Sequence, residues 1–179
     1  MTQVGLNLQD ELIARCRVGD REAHYQVYKM YSKAMYNVGY RITRSEEDAE
    51  DVLQEAFINA FRNLDHYRGD ATFGAWLKRI VVNKAINVLH KRKHELMPEN
   101  EQWDVAEEET PTEYREDLTI ERVKQGIEKL PDGYRTVLSL YLLEGYDHQE
   151  IGEIMGISES TSKSQLNRAK SKLKELLKT

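Results

Sequence analysis

Apolar residues in this chain recur every three or four positions, and this helical period constrains the fold more than any other feature. The most regular example is the stripe formed by Ala49, Val52, Leu53, Ala56, Phe57, Ala60, Phe61 and Leu64. Side chains at that spacing share one face of an α-helix. No alternating apolar pattern is long enough for a sheet strand, and the sequence has no internal repeat. The sequence therefore predicts an all-α protein.

Capping and turn residues set the limits of the other predicted helices. Gly19 and Gly145 end helices, and Ser45 with Asp48 three positions later is an acidic variant of a capping box. The predicted helices run from Asn7 or Leu8 to Gly19, from Asp20 past Ile42, from Glu46 to Leu64, from about Thr72 to His90, from Ile120 to Leu130, from Arg135 to Leu143, and as a pair within 146–173.

An acidic segment divides the chain. Residues 98–118 contain nine acidic residues, a single basic one (Arg115) and two of the three prolines. The segment has no helical or strand period, so we expect a flexible linker between two domains. The expected boundaries are 8–95 for the first helical domain, 96–116 for the linker and 117–179 for the second helical domain.

The distribution of charge points to nucleic acid, although the net charge of −5 does not. The chain has 26 basic and 31 acidic residues; outside the acidic segment 25 basic and 22 acidic ones remain, a net charge of +3. Residues 78–94 hold six basic residues and no acidic one, and residues 159–178 hold six basic and two acidic ones. Segregated charge of this kind predicts two basic surfaces.

Residues 146–173 are typical of a helix-turn-helix. Ile151 and Ile154 mark a first short helix, Gly156 supplies the turn, and Ser158 offers an N-cap for a second helix. That helix has an apolar stripe for docking and small polar and basic residues on its other faces, as a helix that binds the DNA major groove requires. The same spacing also fits two ordinary short helices with a solvated basic end, so this segment alone does not decide the function.

Acidic residues crowd one face of the helix predicted over 46–64. They are Glu47, Glu50, Asp51 and Glu55, with Gln54 beside them. The helix dipole favours acidic side chains only in the first turn, and like charges four residues apart destabilise a helix by roughly 0.2–0.5 kcal/mol each. The face is therefore either a docking surface for a basic partner or a solvated surface.

The loop at 64–72 and the helix after it combine aromatic and basic residues. Tyr67, Arg68, Phe73 and Trp76 surround the loop, and the basic residues that follow are Lys78, Arg79, Lys84, Lys91, Arg92 and Lys93. This combination suits unstacked, single-stranded bases, and Asn83 and Asn87, one helical turn apart, could hydrogen-bond base edges. Phe73 and Trp76 could instead close the core, and we expect a core position for Trp76.

The sequence contains no motif of an enzyme or of a membrane protein. It lacks a glycine-rich phosphate loop, a nucleophile elbow, paired cysteines and an apolar run long enough for a membrane span, and its N-terminus does not resemble a secretory signal. His90 and His94 have metal-binding spacing, but three cations lie between them. A single cysteine, Cys16, suits a reducing compartment. We expect a cytoplasmic protein with no catalytic activity, cofactor, metal, membrane insertion or small-molecule substrate.

Three motifs in this order resemble the bacterial sigma factors of the small extracytoplasmic-function (ECF) group, which retains only conserved regions two and four. The motifs are DAEDVLQEAF at 48–57, WLKRIVVNKAINVL at 76–89 and LPDGYRTVLSLYLLEGYDHQEIGEIMGISESTSKSQLNRAK at 130–170. The resemblance covers about Asp10 to Leu177. It implies an RNA polymerase sigma factor that binds core RNA polymerase and recognises two elements of promoter DNA. It also implies control by an anti-sigma factor.

The resemblance implies three sets of site residues. The polymerase-binding set, which would contact a basic coiled coil of the largest polymerase subunit, is Asp48, Asp51, Gln54 and Glu55. The set for the melted downstream promoter element, where the loop from Asp65 to Thr72 would take a flipped base, is Tyr67, Arg68, Lys78, Arg79, Asn83, Lys84, Asn87 and Lys91. The set for the upstream duplex element is Ser160, Thr161, Lys163, Ser164, Asn167 and Arg168. The acidic linker would lie in the polymerase channel that nascent RNA later occupies.

Three residues depart from the family pattern. The family has an acidic residue at Asn87, a valine or similar residue at Ser162 and an arginine at Gln165. The first difference leaves the base preference of the downstream element open, and we expect Ser162 to weaken the packing of the recognition helix. Two alternatives remain at this point: a stand-alone dimeric helix-turn-helix regulator, and a helical adaptor that binds only proteins and shows no salt-sensitive affinity for DNA.

Overall fold

The computed structural model describes residues 2–96 and 119–178, with side chains described for residues 8–93 and 119–178. The α-helices are α1 (Thr2–Arg17), α2 (Arg21–Thr43), α3 (Glu46–Arg62), α4 (Phe73–Leu96), α5 (Ile120–Glu128), α6 (Asp132–Leu142), α7 (His148–Met155) and α8 (Glu159–Lys178), with a 3₁₀ turn at Leu64–His66. Neither described range contains a strand, which confirms the all-α prediction. The predicted linker, 96–116, lies outside the described residues apart from Leu96.

Local capping explains where the first helices begin and end. The Asp20 side chain accepts hydrogen bonds from the backbone N–H groups of Glu22 and Ala23 and so starts α2. Arg44 ends that helix in the left-handed region (φ 54°), and its N–H donates to the Tyr40 carbonyl. Ser45 then caps α3, as predicted from the sequence. The helices α1 and α4 are longer than predicted, since α1 begins at Thr2 and α4 continues to Leu96.

The chain divides into two compact units, Met1–Val88 and Leu89–Thr179. In the first unit α2 and α3 form the most extensive helix pair, and α1 packs on α2 and on the 3₁₀ turn. The apolar stripe predicted on α3 lies in this core, with Phe61 only half-buried. From α4 the core receives Phe73, Leu77, Val81, Val82, Ala85 and Ile86.

In the second unit α8 packs against α5, α6 and α7. Val137, Leu138, Leu140 and Ile151 are fully buried there. The turn between α7 and α8 needs two glycines for different reasons. A Cβ on Gly152 would lie 2.7 Å from the Ile157 carbonyl oxygen, and Gly156 adopts the left-handed conformation with φ at +68°. This turn fixes the direction of α8 relative to α7.

Candidate protein-docking and nucleic-acid interfaces

The acidic face lies on the side of α3 opposite its buried stripe. Asp51, Gln54 and Glu55 are exposed, and Asp48 is half-buried in the first turn, where its N–H donates to the Ser45 hydroxyl at 3.2 Å. A groove of about 340 Å³ runs beside this face between α2 and α3. It is lined by Tyr28, Ser32, Lys33, Tyr36, Glu50, Leu53 and Gln54. Three of the four predicted docking side chains are therefore accessible to a partner.

One acidic residue of this face has a basic neighbour that the sequence did not indicate. Lys84 Nζ on α4 lies 3.1 Å from Glu55 Oε2. The pair joins a residue predicted to bind polymerase with one predicted to contact DNA. An ion pair this exposed contributes about 0–1 kcal/mol, so it does not lock either side chain.

An aromatic cluster forms the base of the loop between the 3₁₀ turn and α4. The Tyr67 ring contacts Phe73 edge-on at 5.5 Å between centroids and Trp76 at 5.4 Å. Tyr31 of α2 also contacts Phe73, with 5.5 Å between the ring centroids. Burial is the main reason that the pKa of Tyr67 lies above its usual value.

Burial separates the aromatic residues that could stack on a base from those that could not. Phe73, which the sequence pattern grouped with the loop, is only 1% exposed and is a core residue. Trp76, expected in the core, is half-buried, as is Tyr67. Tyr67 and Trp76 are therefore the aromatic side chains at this loop with surface left for a base, and Arg68 beside them is exposed.

The predicted polar residues of α4 differ in exposure. Asn83, Asn87 and Lys91 are exposed and lie four residues apart, so they share one face of the helix. Lys78, Arg79 and Lys84 are half-buried, and each has an interaction within the protein. The side chain of His94 lies outside those that the structure describes. The exposed row is the part of α4 best placed to contact a nucleic acid.

The helix-turn-helix has the geometry that its sequence predicted. The Ser158 hydroxyl accepts from the Thr161 N–H at 3.0 Å and so caps α8. Of the six predicted DNA-contacting residues, Ser160, Lys163, Ser164 and Asn167 are exposed, whereas Thr161 and Arg168 are half-buried. Lys163 also lies 2.6 Å from Glu159 on the same helix. The structure thus places all six on the first three turns of α8.

Ser162, which we expected to weaken the packing of the recognition helix, makes a polar contact at this buried position. Its side chain is fully buried, and its hydroxyl lies 2.9 Å from Nδ1 of His148 at the start of α7. The His148 ring stacks on Tyr141 of α6, with 4.6 Å between the centroids. This contact chain joins three helices. Gln165, which also departs from the family pattern, is 5% exposed, and its Oε1 has no hydrogen-bond partner among the described residues.

Both halves of the chain match known sequence families. Residues 27–95 match Sigma-70 region 2, and residues 120–173 match Sigma-70, region 4. Over 180 aligned residues the chain is 32% identical to "ECF RNA polymerase sigma factor SigW" of Bacillus subtilis (strain 168), and the alignment covers 93% of this chain and 95% of that protein. This chain belongs to the ECF RNA polymerase sigma factors.

Other relatives of this ECF sigma factor come from distant bacteria. The chain is 33% identical over 172 residues to "ECF RNA polymerase sigma-E factor" of Escherichia coli (strain K12), covering 89% of this chain and 88% of that one. It is 31% identical over 168 residues to "ECF RNA polymerase sigma factor SigM" of Mycobacterium tuberculosis (strain ATCC 25618 / H37Rv), and the alignment covers 93% of this chain and 83% of that protein. The function implied by the sequence motifs, promoter-directed transcription initiation with RNA polymerase, is confirmed. The stand-alone regulator and the protein-only adaptor are set aside.

Two solved structures have a similar fold. One is CnrH in complex with the cytosolic domain of CnrY, with a TM-score of 0.56 at 25% identity, covering 95% of this chain and 97% of that chain. The other is sigma factor RpoE in complex with the anti-sigma factor NepR from Bartonella quintana, with a TM-score of 0.58 at 23% identity. That comparison covers 87% of this chain and 96% of that chain. The family is one of transcription initiation factors rather than of enzymes. None of the described helices is long and apolar enough to cross a membrane.

Proposed function

We propose that the two helical domains expected from the sequence, residues 8–95 and 117–179, divide promoter recognition between them in this ECF sigma factor. Residues 8–95 dock on core RNA polymerase and contact the melted downstream element, and residues 117–179 contact the upstream duplex element. Residues 96–116 form the linker that connects these two domains. The proposal is supported by the separate matches to regions two and four and by the placement of acidic and basic residues on different helices.

The acidic face of α3 is the proposed polymerase-docking surface. Asp51, Gln54 and Glu55 are exposed next to a groove, and Asp48 lies at the start of the same helix. Clustered carboxylates on a fixed helix are complementary to a basic surface and speed association with it. The burial of the opposite stripe supports this choice, because it holds the acidic side chains toward solvent.

The downstream element is the proposed ligand of the loop and of α4. Tyr67 keeps surface available for stacking, and Arg68 supplies an exposed cation beside it. Asn83, Asn87 and Lys91 form an exposed row that could follow one strand. Lys78, Arg79 and Lys84 complete the proposed set as contributors of positive charge near the phosphates.

The upstream element is the proposed ligand of α8. Major-groove recognition needs a helix whose opposite face is anchored, and Leu166 and Ala169 supply that buried anchor. Ser160, Thr161, Ser164 and Asn167 could hydrogen-bond base edges or phosphates. Lys163 and Arg168 add the positive charge that phosphate binding uses.

The proposed setting follows from the family. We expect the chain to act in the cytoplasm with polymerase, to catalyse no reaction itself and to need no cofactor. The two fold relatives were solved with partner proteins, one of them named as an anti-sigma factor. An anti-sigma factor that covers one or both recognition surfaces is accordingly the proposed regulator.

A charge-reversal variant tests the docking surface, on which the rest depends. Q54K/E55K should abolish binding to core polymerase while leaving helicity unchanged, because it reverses the charge of an exposed face without touching the core. The matched control is E22K/Q26K, which makes the same net charge change at two exposed positions of α2. Polymerase binding measured by co-elution should survive in the control. Retained binding by Q54K/E55K would refute the assignment.

A further inference from the structure

The loop proposed to take the flipped base is held at both of its ends. At its beginning, the Tyr67 hydroxyl donates to the Ala71 carbonyl at 2.9 Å and closes the loop on itself. At its end, the Thr72 hydroxyl accepts from the Ala75 N–H at 3.2 Å and caps α4. Between these ends Gly69 adopts a left-handed conformation (φ +81°). The exposed residues Arg68, Gly69 and Asp70 are therefore presented by a closed frame.

A residue of α1 supplies a further hydrogen bond to this frame. Arg17 Nη2 donates to the backbone carbonyl of Tyr67 at 2.8 Å, across 50 residues of sequence. The Arg17 charge also acts on the Tyr67 phenol and opposes the rise in its pKa that burial causes. The contact reaches the backbone of the residue whose ring and hydroxyl organise the loop.

The end of α1 that bears Arg17 is itself fixed. His24 Nε2 lies 3.0 Å from the Cys16 carbonyl, and the His24 ring stacks on Phe61 of α3 at 4.3 Å. Arg15 pairs with Asp20, the cap of α2, at 2.7 Å. The Gly19 N–H also donates to the Cys16 carbonyl at 3.1 Å. Arg17 thus extends toward the loop from an anchored helix end.

We infer that Arg17 is a positioning residue for recognition of the downstream promoter element, and that the downstream site extends to α1. This helix lies before residue 27, where the match to Sigma-70 region 2 begins. The inference rests on the proposed function of the loop. By holding the Tyr67 carbonyl, Arg17 fixes the direction in which residues 68–70 leave the aromatic cluster, and so favours one shape of the base-binding loop over alternatives.

The test uses the full chain with core polymerase and a set of promoters that share one upstream element. Each position of the downstream element is occupied in turn by each of the four bases, and initiation is measured on every template. The quantity compared is the ratio of initiation with the preferred base to initiation with the other bases at one position. R17A should reduce this preferred-base ratio about fivefold at the position that the loop contacts, which is the scale of one net hydrogen bond. Preferences at other positions and polymerase affinity should not change. R17K should restore much of the ratio, since an ammonium can also donate to a carbonyl.

The control variant is R21A, which removes an exposed arginine at the start of α2; it should retain all base preferences. The inference is overturned if R17A keeps the wild-type ratio at every position, or if its activity falls by one factor on all templates. A wild-type chain that shows no base preference anywhere in the downstream element would instead refute the proposed function of the loop, and this inference with it.

Discussion

The two units of this ECF sigma factor have different interiors. In the first unit the described buried side chains are apolar and aromatic, with Thr43 as the polar exception. In the second unit five polar or charged side chains are buried, namely Arg135, Thr136, Ser139, Ser162 and Gln165. Two of them, Ser139 and Gln165, have a side-chain oxygen without a hydrogen-bond partner among the described residues.

The difference shows two ways of orienting helices. Apolar packing in the first unit is set by volume and shape, and it holds α3 and α4 so that their opposite faces stay available for partners. In the helix-turn-helix unit directional bonds add to the packing: Arg135 binds the Leu130 carbonyl and Ser162 binds His148. Directional bonds favour one geometry, but unsatisfied buried groups reduce stability. We therefore expect the second unit to be the less stable one.

The largest effect is expected from F73A, a variant that tests the apolar interior of the first unit. F73A removes a ring that is 1% exposed and contacts Tyr31, Tyr67 and Trp76. Loss of a buried phenyl group should lower the free energy of unfolding of the first unit by about 3–5 kcal/mol. Denaturant unfolding would measure the loss of stability, and hydrogen exchange would show which unit has lost it. F61A, at a half-buried position, should cost less; an equal cost would contradict this view of the core.

The next effect tests the buried arginine of the second unit. Arg135 is 4% exposed, and its guanidinium donates to the Leu130 carbonyl at 3.0 Å and to Asp132 at 2.6 Å. R135A should destabilise this unit by about 2–3 kcal/mol, since it removes buried bonds and leaves a carbonyl without its donor. R135M also loses these bonds but keeps most of the aliphatic volume, so it separates the loss of polar bonds from the loss of packing. If R135M is as stable as the wild type, the polar bonds contribute nothing measurable.

A smaller effect tests the contact between α7 and α8. S162A and H148F each remove one partner of the 2.9 Å hydrogen bond, and each should destabilise the second unit by about 1 kcal/mol. The phenyl ring of H148F can still stack on Tyr141. Because the double variant leaves no buried group unpaired, its total cost should be clearly less than the sum of the two single costs. Strict additivity in thermal unfolding would show that the bond is not significant.

The smallest effect should be a gain in stability. Gln165 is 5% exposed, and no partner is described for its Oε1. Q165M has a similar shape without the unsatisfied oxygen, so it should raise the stability of the second unit by about 0.5–1 kcal/mol. S164A, at the exposed neighbouring position, serves as the control and should change stability little. A loss of stability in Q165M would mean that the amide is satisfied.

Features set by neighbouring residues could be predicted from the sequence. The caps at Asp20, Ser45 and Ser158, the turn at Gly156 and the buried stripe of α3 all depend on residues a few positions apart. The pairs Arg17–Tyr67, Glu55–Lys84 and His148–Ser162 span 50, 29 and 14 residues. Periodicity does not indicate which distant side chains meet, so these pairs could not be predicted. The burial of Phe73 in place of Trp76 has the same origin, because tertiary packing decides which of two apolar neighbours faces inward.

The division of labour between the two units can be tested with two matched asparagine variants. N167A alters the exposed face of α8, and N87A alters the exposed face of α4. Initiation by core polymerase is measured on an intact promoter, on one with a scrambled upstream element and on one with a scrambled downstream element. The account predicts that scrambling the upstream element costs N167A less than it costs the wild type, while N87A shows the reduced cost only for the downstream element. If both variants lose activity in the same proportion on both scrambled promoters, the two units do not divide recognition as proposed.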